Sequence, residues 1–199
     1  MRYKQGLIQQ KLGIFNLEAV TIGYGDEENE KAILYPIANK KLLEDIINKN
    51  LPSFKAKLEI NKPPSRALSR FIIKEIIQIS VIIALTFLVN RNMYINLRLI
   101  ISLLLILISI AIGYLNYRNT SVGVDEKILL CSSGALKKIT TIIKQDSVQS
   151  VQVINGPFHR IKGILDIKID IYTNKFSEIV IIKNMHKDIY NTISENLII

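Results

Sequence analysis

The residues able to do chemistry are few and scattered. There are two histidines, His159 and His186, and one cysteine, Cys131. The histidines are far apart in sequence, and neither stands in metal-ligand spacing with the cysteine or with the other. The acidic pairs Glu27-Glu28 and Glu44-Asp45 fall in a turn and on a helix face, where carboxylates are simply solvated. No Gly-x-Ser-x-Gly elbow and no Walker loop is present. The expectation is a noncatalytic chain with no cofactor and no metal. Cys131 closes an apolar run from Ile128 and reads as a small core residue. One cysteine allows no disulfide within the chain, which suits a reducing cytosol. Two sets of charges remain. Lys74 and Glu75 interrupt an apolar stretch, one turn from its expected cytoplasmic end, where a lysine can reach back to the headgroups. Lys137, Lys138 and Lys144 are the one basic group in the C-terminal part that could meet lipid headgroups.

The elements that must position these residues centre on positions 65–118. Two apolar segments lie there, Ile76 to Val89 and Leu99 to Tyr114. The first extends back to Phe71, and the second carries no charge. A bilayer core of about 30 Å needs roughly 20 helical residues, and lipid cannot satisfy a bare backbone. The pair therefore reads as a transmembrane hairpin, with helices over about 66–90 and 97–117. Ser65, after Pro63-Pro64, stands where a cap belongs. The runner-up, two buried helices of a soluble protein, conflicts with a second segment that is apolar all round.

The net charge of +9 is unevenly spread. Residues 1–60 carry nine Lys/Arg against eight Asp/Glu, residues 119–199 ten against eight, and residues 61–118 seven against one. Most of the excess thus flanks or links the hairpin. That is a topology signal with the lipid bilayer as partner, and no nucleic-acid partner is expected. Both soluble parts, with both termini, should be cytoplasmic, in a multi-pass protein of the cell membrane.

The soluble parts are strand-rich. In residues 1–60, Leu17 to Ile22 and Lys31 to Ile37 read as strands, with Pro36 marking the end of the second or an edge. Gly23 to Glu30 reads as a turn, Asn39 to Ile47 as a helix, and 51–64 as a linker. Met1 to Lys4 runs straight into Gln5-Gly6, with no room for an opening strand. In 119–199, short apolar runs end at Cys131, Ile143 and Ile154. Ile164 to Ile171 alternates almost perfectly, Asn174-Lys175 turns, Ser177 to Ile182 is a strand, and Asn184 to Leu197 is a helix.

The two parts also resemble each other. Gly6 to Ile14 lies over Gly156 to Ile164, with the same spacing from Gly6 to Gly13 as from Gly156 to Gly163. Asn16 falls on Asp166, Ala32 to Tyr35 on Ile179 to Ile182, and Asn39 on His186. Each glycine pair brackets a turn-rich segment that feeds a strand. This is a fold-defining pattern rather than a phosphate cradle, which would open a helix with a glycine-rich loop.

Val148-Gln149-Ser150-Val151, followed by Gln152 to Ile164 with His159-Arg160 and Gly163-Ile164, resembles the signature of the bacterial pleckstrin-homology-like membrane proteins of the YdbS/YdbT type. Gln9-Gln10 and Gly13-Ile14 repeat it. The resemblance covers nearly the whole chain. It marks Gly6, Gly13, Gly156, Arg160 and Gly163 as fold-signature positions. It implies an α+β membrane protein, in which a pleckstrin-like β-sandwich or barrel of about seven strands at 119–199 is closed by the C-terminal helix. An incomplete copy of the module at 1–60 would precede the hairpin at 65–118. Because the opening strands of the first copy are missing, its exposed edge should bring association or poor order at residues 1–50. The chain looks like the back end of a longer, multi-module protein. The implied function is protein association or scaffolding at the cytoplasmic membrane face, through a protein partner or self-association. The alternatives are anionic-lipid headgroup binding by Lys137, Lys138 and Lys144, or service as an accessory subunit of a membrane transporter or enzyme.

Overall fold

The computed structural model describes residues 2–20, 31–39, 59–89, 94–125, 128–171 and 178–197. Among these residues ten strands form two antiparallel sheets. The strands are β1 (Arg2–Gly6), β2 (Ile14–Val20), β3 (Lys31–Asn39), β4 (Glu59–Asn61), β5 (Ser121–Val124), β6 (Ile128–Ser133), β7 (Lys137–Lys144), β8 (Val148–Ile154), β9 (Ile164–Ile171) and β10 (Glu178–His186). The helices are α1 (Leu7–Leu12), α2 (Leu68–Val89), α3 (Ile95–Asn119), α4 (Pro157–Lys162) and α5 (Lys187–Leu197).

The larger sheet has the order β3-β2-β1-β7-β6-β5-β4, and the smaller β10-β9-β8. The larger sheet draws its strands from both sides of the hairpin. Arg2–Gly6 is a strand after all, and it pairs with Lys137–Thr141 of β7. The expected open edge of the first copy is therefore closed within the chain. Residues 59–61 of the expected linker likewise form β4, paired with β5. Both short strands gain their ladders from a distant partner, which local periodicity cannot reveal. β7 lies between β1 and β6, and its residues Thr140 to Ile143 are all buried. Tyr3 of β1 meets Phe15 edge-on, with centroids 5.5 Å apart, and bonds Thr140.

The main core combines β5–β7, β9, β10 and α5. Val122, Leu129, Cys131, Ile143, Ile167, Ile169, Ile182 and Met185 pack there with Ile189 and Ile193. The alternation along β9 buries Leu165, Ile167, Ile169 and Ile171 on one face. Each fully buried isoleucine contributes on the order of 2 kcal/mol. In α5, Ile189 and Ile193 stand one turn apart on the buried face. Burial pushes the Cys131 thiol up to about 12, so it remains an uncharged core group.

Two helices, Ser65–Leu88 and Ile95–Asn119, are long and apolar enough to cross a membrane. A turn of 3-10 helix at Ser65–Ala67 precedes α2. Pro64, not Ser65, occupies its cap position, and no side chain bonds to it. The two helices approach closely at Gly113, where a Cβ would lie 2.8 Å from Ile72 Cα. Ser109 is buried one turn earlier, giving the small-residue face on which membrane helices pack.

Some element ends move. β3 continues through Pro36 to Asn39, because a register shift between Phe15 and Leu17 places the proline in a bulge, where the ladder needs no donor. β10 continues to His186, so the last helix begins at Lys187 rather than Asn184. The expected turn at 23–30, most of the helix at 39–47 and the turn at 174–175 lie outside the described residues.

Candidate functional site

The glycine-bracketed segments are six-residue helices rather than irregular turns. Leu7–Leu12 is bounded by Gly6 and Gly13, Pro157–Lys162 by Gly156 and Gly163. Gly13 and Gly163 stand at φ 64° and 58°, the left-handed conformation that ends a helix and suits glycine. At the other end, the Gly6 N–H donates to Gln9 Oε1 at 2.8 Å, and the Gly156 N–H donates to His159 Nδ1 at 2.9 Å. Each third helical residue thus reaches back to satisfy the donor that opens its helix.

The strands around these helices pair alike. Tyr3 faces Leu17 as Val153 faces Ile167, and Lys4 faces Asn16 as Ile154 faces Asp166. Ile14 faces Asn39 as Ile164 faces His186, and Leu17 faces Tyr35 as Ile167 faces Ile182. Beyond Leu17 a second register shift moves the first unit by one residue, so Ala32 corresponds to Val180 rather than Ile179.

His159 is the polar centre of the second unit. Its side chain is buried, and an accepting Nδ1 leaves the proton of the neutral ring on Nε2. Nε2 lies 3.1 Å from Asp166 Oδ1, which also accepts the Asn184 N–H at 2.7 Å. Asn184 itself has φ 58°, within the bulge of β10. The Gly156–His159 and Asn184–Asp166 hydrogen bonds, brought together by the 3.1 Å approach of Nε2 to the Asp166 carboxylate, a close contact rather than a hydrogen bond, seat the short helix against the β9–β10 hairpin. This arrangement positions backbone; it presents no nucleophile.

The same segment docks on the foot of the hairpin. Arg66 Nη2 donates to the Gly163 carbonyl at 3.1 Å. Lys162 Nζ bonds Ser69 Oγ and reaches the Arg66 carbonyl at 3.5 Å. Ile164 packs with Ala67, Phe71 and Tyr117 in a second small core, and the Phe71 and Tyr117 rings meet edge-on at 5.9 Å. Arg160 points outward, and its backbone carbonyl takes the Gly163 N–H. Nearby, the Lys183 ammonium is held below its ordinary range by burial and by Lys74, against the opposing pull of Asp166 and Glu75. Lys74 therefore has company on the soluble side.

The three lysines proposed from sequence do not converge. Lys137 and Lys138 open β7, facing Gly6 and Gln5, while Lys144 closes it opposite Ile128. Seven residues of strand separate the ends by about 20 Å. Lys138 is instead grouped with Lys62 and Arg118, and its pKa is lowered by burial and by those two charges. Arg66 and Lys162 come together around Gly163 and Ser69, while Asn184 bonds Asp166. None of the three stands out in the sequence: Arg66 counts only as a basic flank of the hairpin, Lys162 lies inside the glycine-bracketed segment, and Asn184 opens the expected last helix. Among the described residues no group of three or more His, Cys, Asp or Glu could hold a metal.

Comparison with known proteins places this architecture. The chain is 25% identical over 168 residues to the UPF0699 transmembrane protein YdbT of Bacillus subtilis (strain 168), an alignment covering 83% of this chain and 33% of the relative. The chain thus spans about a third of the length of that curated relative. No solved structure matches it. The family model described as Bacterial PH domain matches residues 71–196, which takes in most of the first membrane-length helix, all of the second, the glycine-bracketed α4 and most of α5. With that match over more than half its length, the chain belongs to the bacterial PH domain family.

Proposed function

We propose that the chain is a noncatalytic, membrane-anchored module for protein association at the cytoplasmic face of the cell membrane. The hairpin fixes it in the bilayer, and the basic excess over residues 61–118 favours cytoplasmic strands and termini. The two β-hairpin units are read as copies of one module, the first of them partial. The observation that carries the reading is the β1–β7 ladder. The first unit joins β7, the strand that precedes the second unit, through a strand edge, along five register pairs from Arg2↔Thr141 to Gly6↔Lys137. β8, the counterpart of β1, is an edge strand of the smaller sheet, with Gln152, Val153 and Ile154 exposed. A free edge of this kind recruits a strand. Two β8 edges meeting about a two-fold axis are the simplest such complex.

Light scattering on the detergent-solubilised chain, with detergent mass subtracted, tests this. The expected result is a defined oligomer that proline at the outward-facing β8 residue dissolves. A monomer at every concentration overturns self-association through this edge.

A further inference from the structure

We propose that the short helix Pro157–Lys162 is a membrane-interface wedge, whose Phe158 and Ile161 enter the headgroup–acyl boundary of the bilayer that holds the hairpin. This rests on the membrane reading of α2 and α3 and goes beyond it.

Phe158 is 75% exposed and Ile161 80% exposed, among the most exposed large apolar side chains of the described residues. They stand three residues apart on a helix, hence on one face. Between them, buried His159 holds the opposite face down on the domain. The exposure is a consequence of how the helix is clamped.

The clamp also sets its height. About 20 helical residues cross the apolar core of a bilayer. Counted back from Leu88, the end of the first membrane-length helix, they end at Ser69. Ser69 is the residue that Lys162 bonds, and Arg66, one turn below, holds Gly163. On the second helix the same count from Ile95 ends at Tyr114, beside the Gly113–Ile72 contact. The first count takes in Arg70, Lys74 and Glu75, and Tyr114 stands beside Ile72, so the charged first turns of α2, to which the C-terminal end of the short helix is tied, lie at the headgroup boundary. The exposed pair is thus carried on the same short helix that docks on the foot of the hairpin. Arg160, exposed between them in sequence, suits lipid phosphate, and Lys162 adds positive charge at the same level. An apolar face flanked by basic residues at this depth is the pattern of an interfacial helix.

The chain contains no tryptophan, so a single introduced indole reports without background. The test places Phe158→Trp, Ile161→Trp and Val81→Trp in separate full-length chains, reconstituted in vesicles of phosphatidylcholine with one quarter phosphatidylglycerol. Val81, exposed near the middle of the uncharged run from Ile76 to Val89, checks the hairpin. The expected result is blue-shifted emission at both 158 and 161, quenched by lipids brominated near the headgroup end of the acyl chain, with Val81→Trp quenched by deeper bromines. If Val81→Trp is quenched while 158 and 161 emit as water-exposed or protein-covered indoles that bromolipids leave unchanged, the wedge is overturned and the hairpin stands. If Val81→Trp also escapes quenching, the membrane reading falls and takes the wedge with it.

Discussion

The unit of β1, β2 and β3 and the unit of β8, β9 and β10 share a register, a glycine-bracketed helix and a bulge, yet they are held in place differently. The first is fastened by its edge, with β1 laddered to β7. The second leaves the corresponding edge of β8 unpaired among the described residues and is fastened by its turn, through Arg66 on Gly163 and Lys162 on Ser69. The first has no such tether among the described residues, and a Cβ on Gly13 would meet nothing within 4 Å. What is common is therefore local, set by a left-handed glycine and a strand bulge. What differs is carried by side chains with distant partners. His159 and Asp166 stand where the first unit has Gln9 and Asn16, and Asn16 Oδ1 is buried without a partner among the described residues.

Proline scanning should break the comparison most sharply. Successive strand N–H groups point to opposite sides. In β1, flanked by β2 and β7, both sides are paired, so Tyr3→Pro and Lys4→Pro should each cost about 3 kcal/mol. In β8 only one side is paired. One of Val153→Pro and Ile154→Pro should cost as much, and the other well under about 1 kcal/mol. Denaturant unfolding in detergent measures all four. Equal losses at 153 and 154 would mean that the β8 edge is already occupied.

Next in size is the polar centre. His159→Ala removes the acceptor for the Gly156 N–H and empties the buried ring site beside Asp166, for a loss of about 1–3 kcal/mol. Gln9→Ala removes only the acceptor for the Gly6 N–H, for about 0.5–1.5 kcal/mol. His159→Gln should bring the second unit to the level of the first, because Gln9 already makes the equivalent bond. Thermal unfolding of the three variants checks the ranking, and a harmless His159→Ala would remove His159 from its central place.

These contrasts mark how far the sequence could be read. The hairpin, the alternating β9 strand and the glycine spacing follow from local rules, and α2, α3 and β9 lie where those rules put them, whereas the glycine-bracketed segments, which read as turns, are short helices. The family and its membrane helices were legible for the same reason. The Arg2–Gly6 strand was not, since five residues without alternation carry no period and gain their structure from Lys137–Thr141 across the chain. The same distance hid the Arg66–Gly163 tether, whose members are 97 positions apart. Lys137, Lys138 and Lys144 look like a cluster in sequence because strand extension is invisible in a string of letters. Asn184 reads as the start of a helix because the apolar strand run ends at Ile182, and the bulge that carries β10 on to His186 through its left-handed φ has no local signature.

The two left-handed glycines should respond equally, in contrast to their surroundings. Gly13→Ala and Gly163→Ala each force a Cβ into left-handed backbone, at about 1–2 kcal/mol. Tethering adds little at Gly163, since its Cβ would sit 3.5 Å from Arg66 Nη2, an ordinary contact. Arg66→Ala separates the effects. It should leave the strain untouched and loosen the second unit alone, read as faster amide exchange at Gly163 and Ile164 with no change at Gly13 and Ile14.

The smallest expected effect is a difference in acid response. Ser150 Oγ donates to Asp170 Oδ2 at 2.6 Å and Lys168 Nζ lies 3.2 Å from Oδ1, so the Asp170 carboxyl is held below its ordinary value, chiefly by the serine. A carboxyl with a depressed folded pKa stabilises above its unfolded pKa, and that contribution is lost as pH falls through the folded value. The first unit has Val20 at the corresponding position, so it lacks this dependence. Acidification from pH 5 toward 2 should therefore speed amide exchange along β8 and β9 more than along β1 and β2. Ser150→Ala should raise the Asp170 titration midpoint, followed by carbon-13 NMR of its carboxyl, and flatten the difference between the units. An unchanged midpoint in that variant would place the cause of the shift with Lys168 instead.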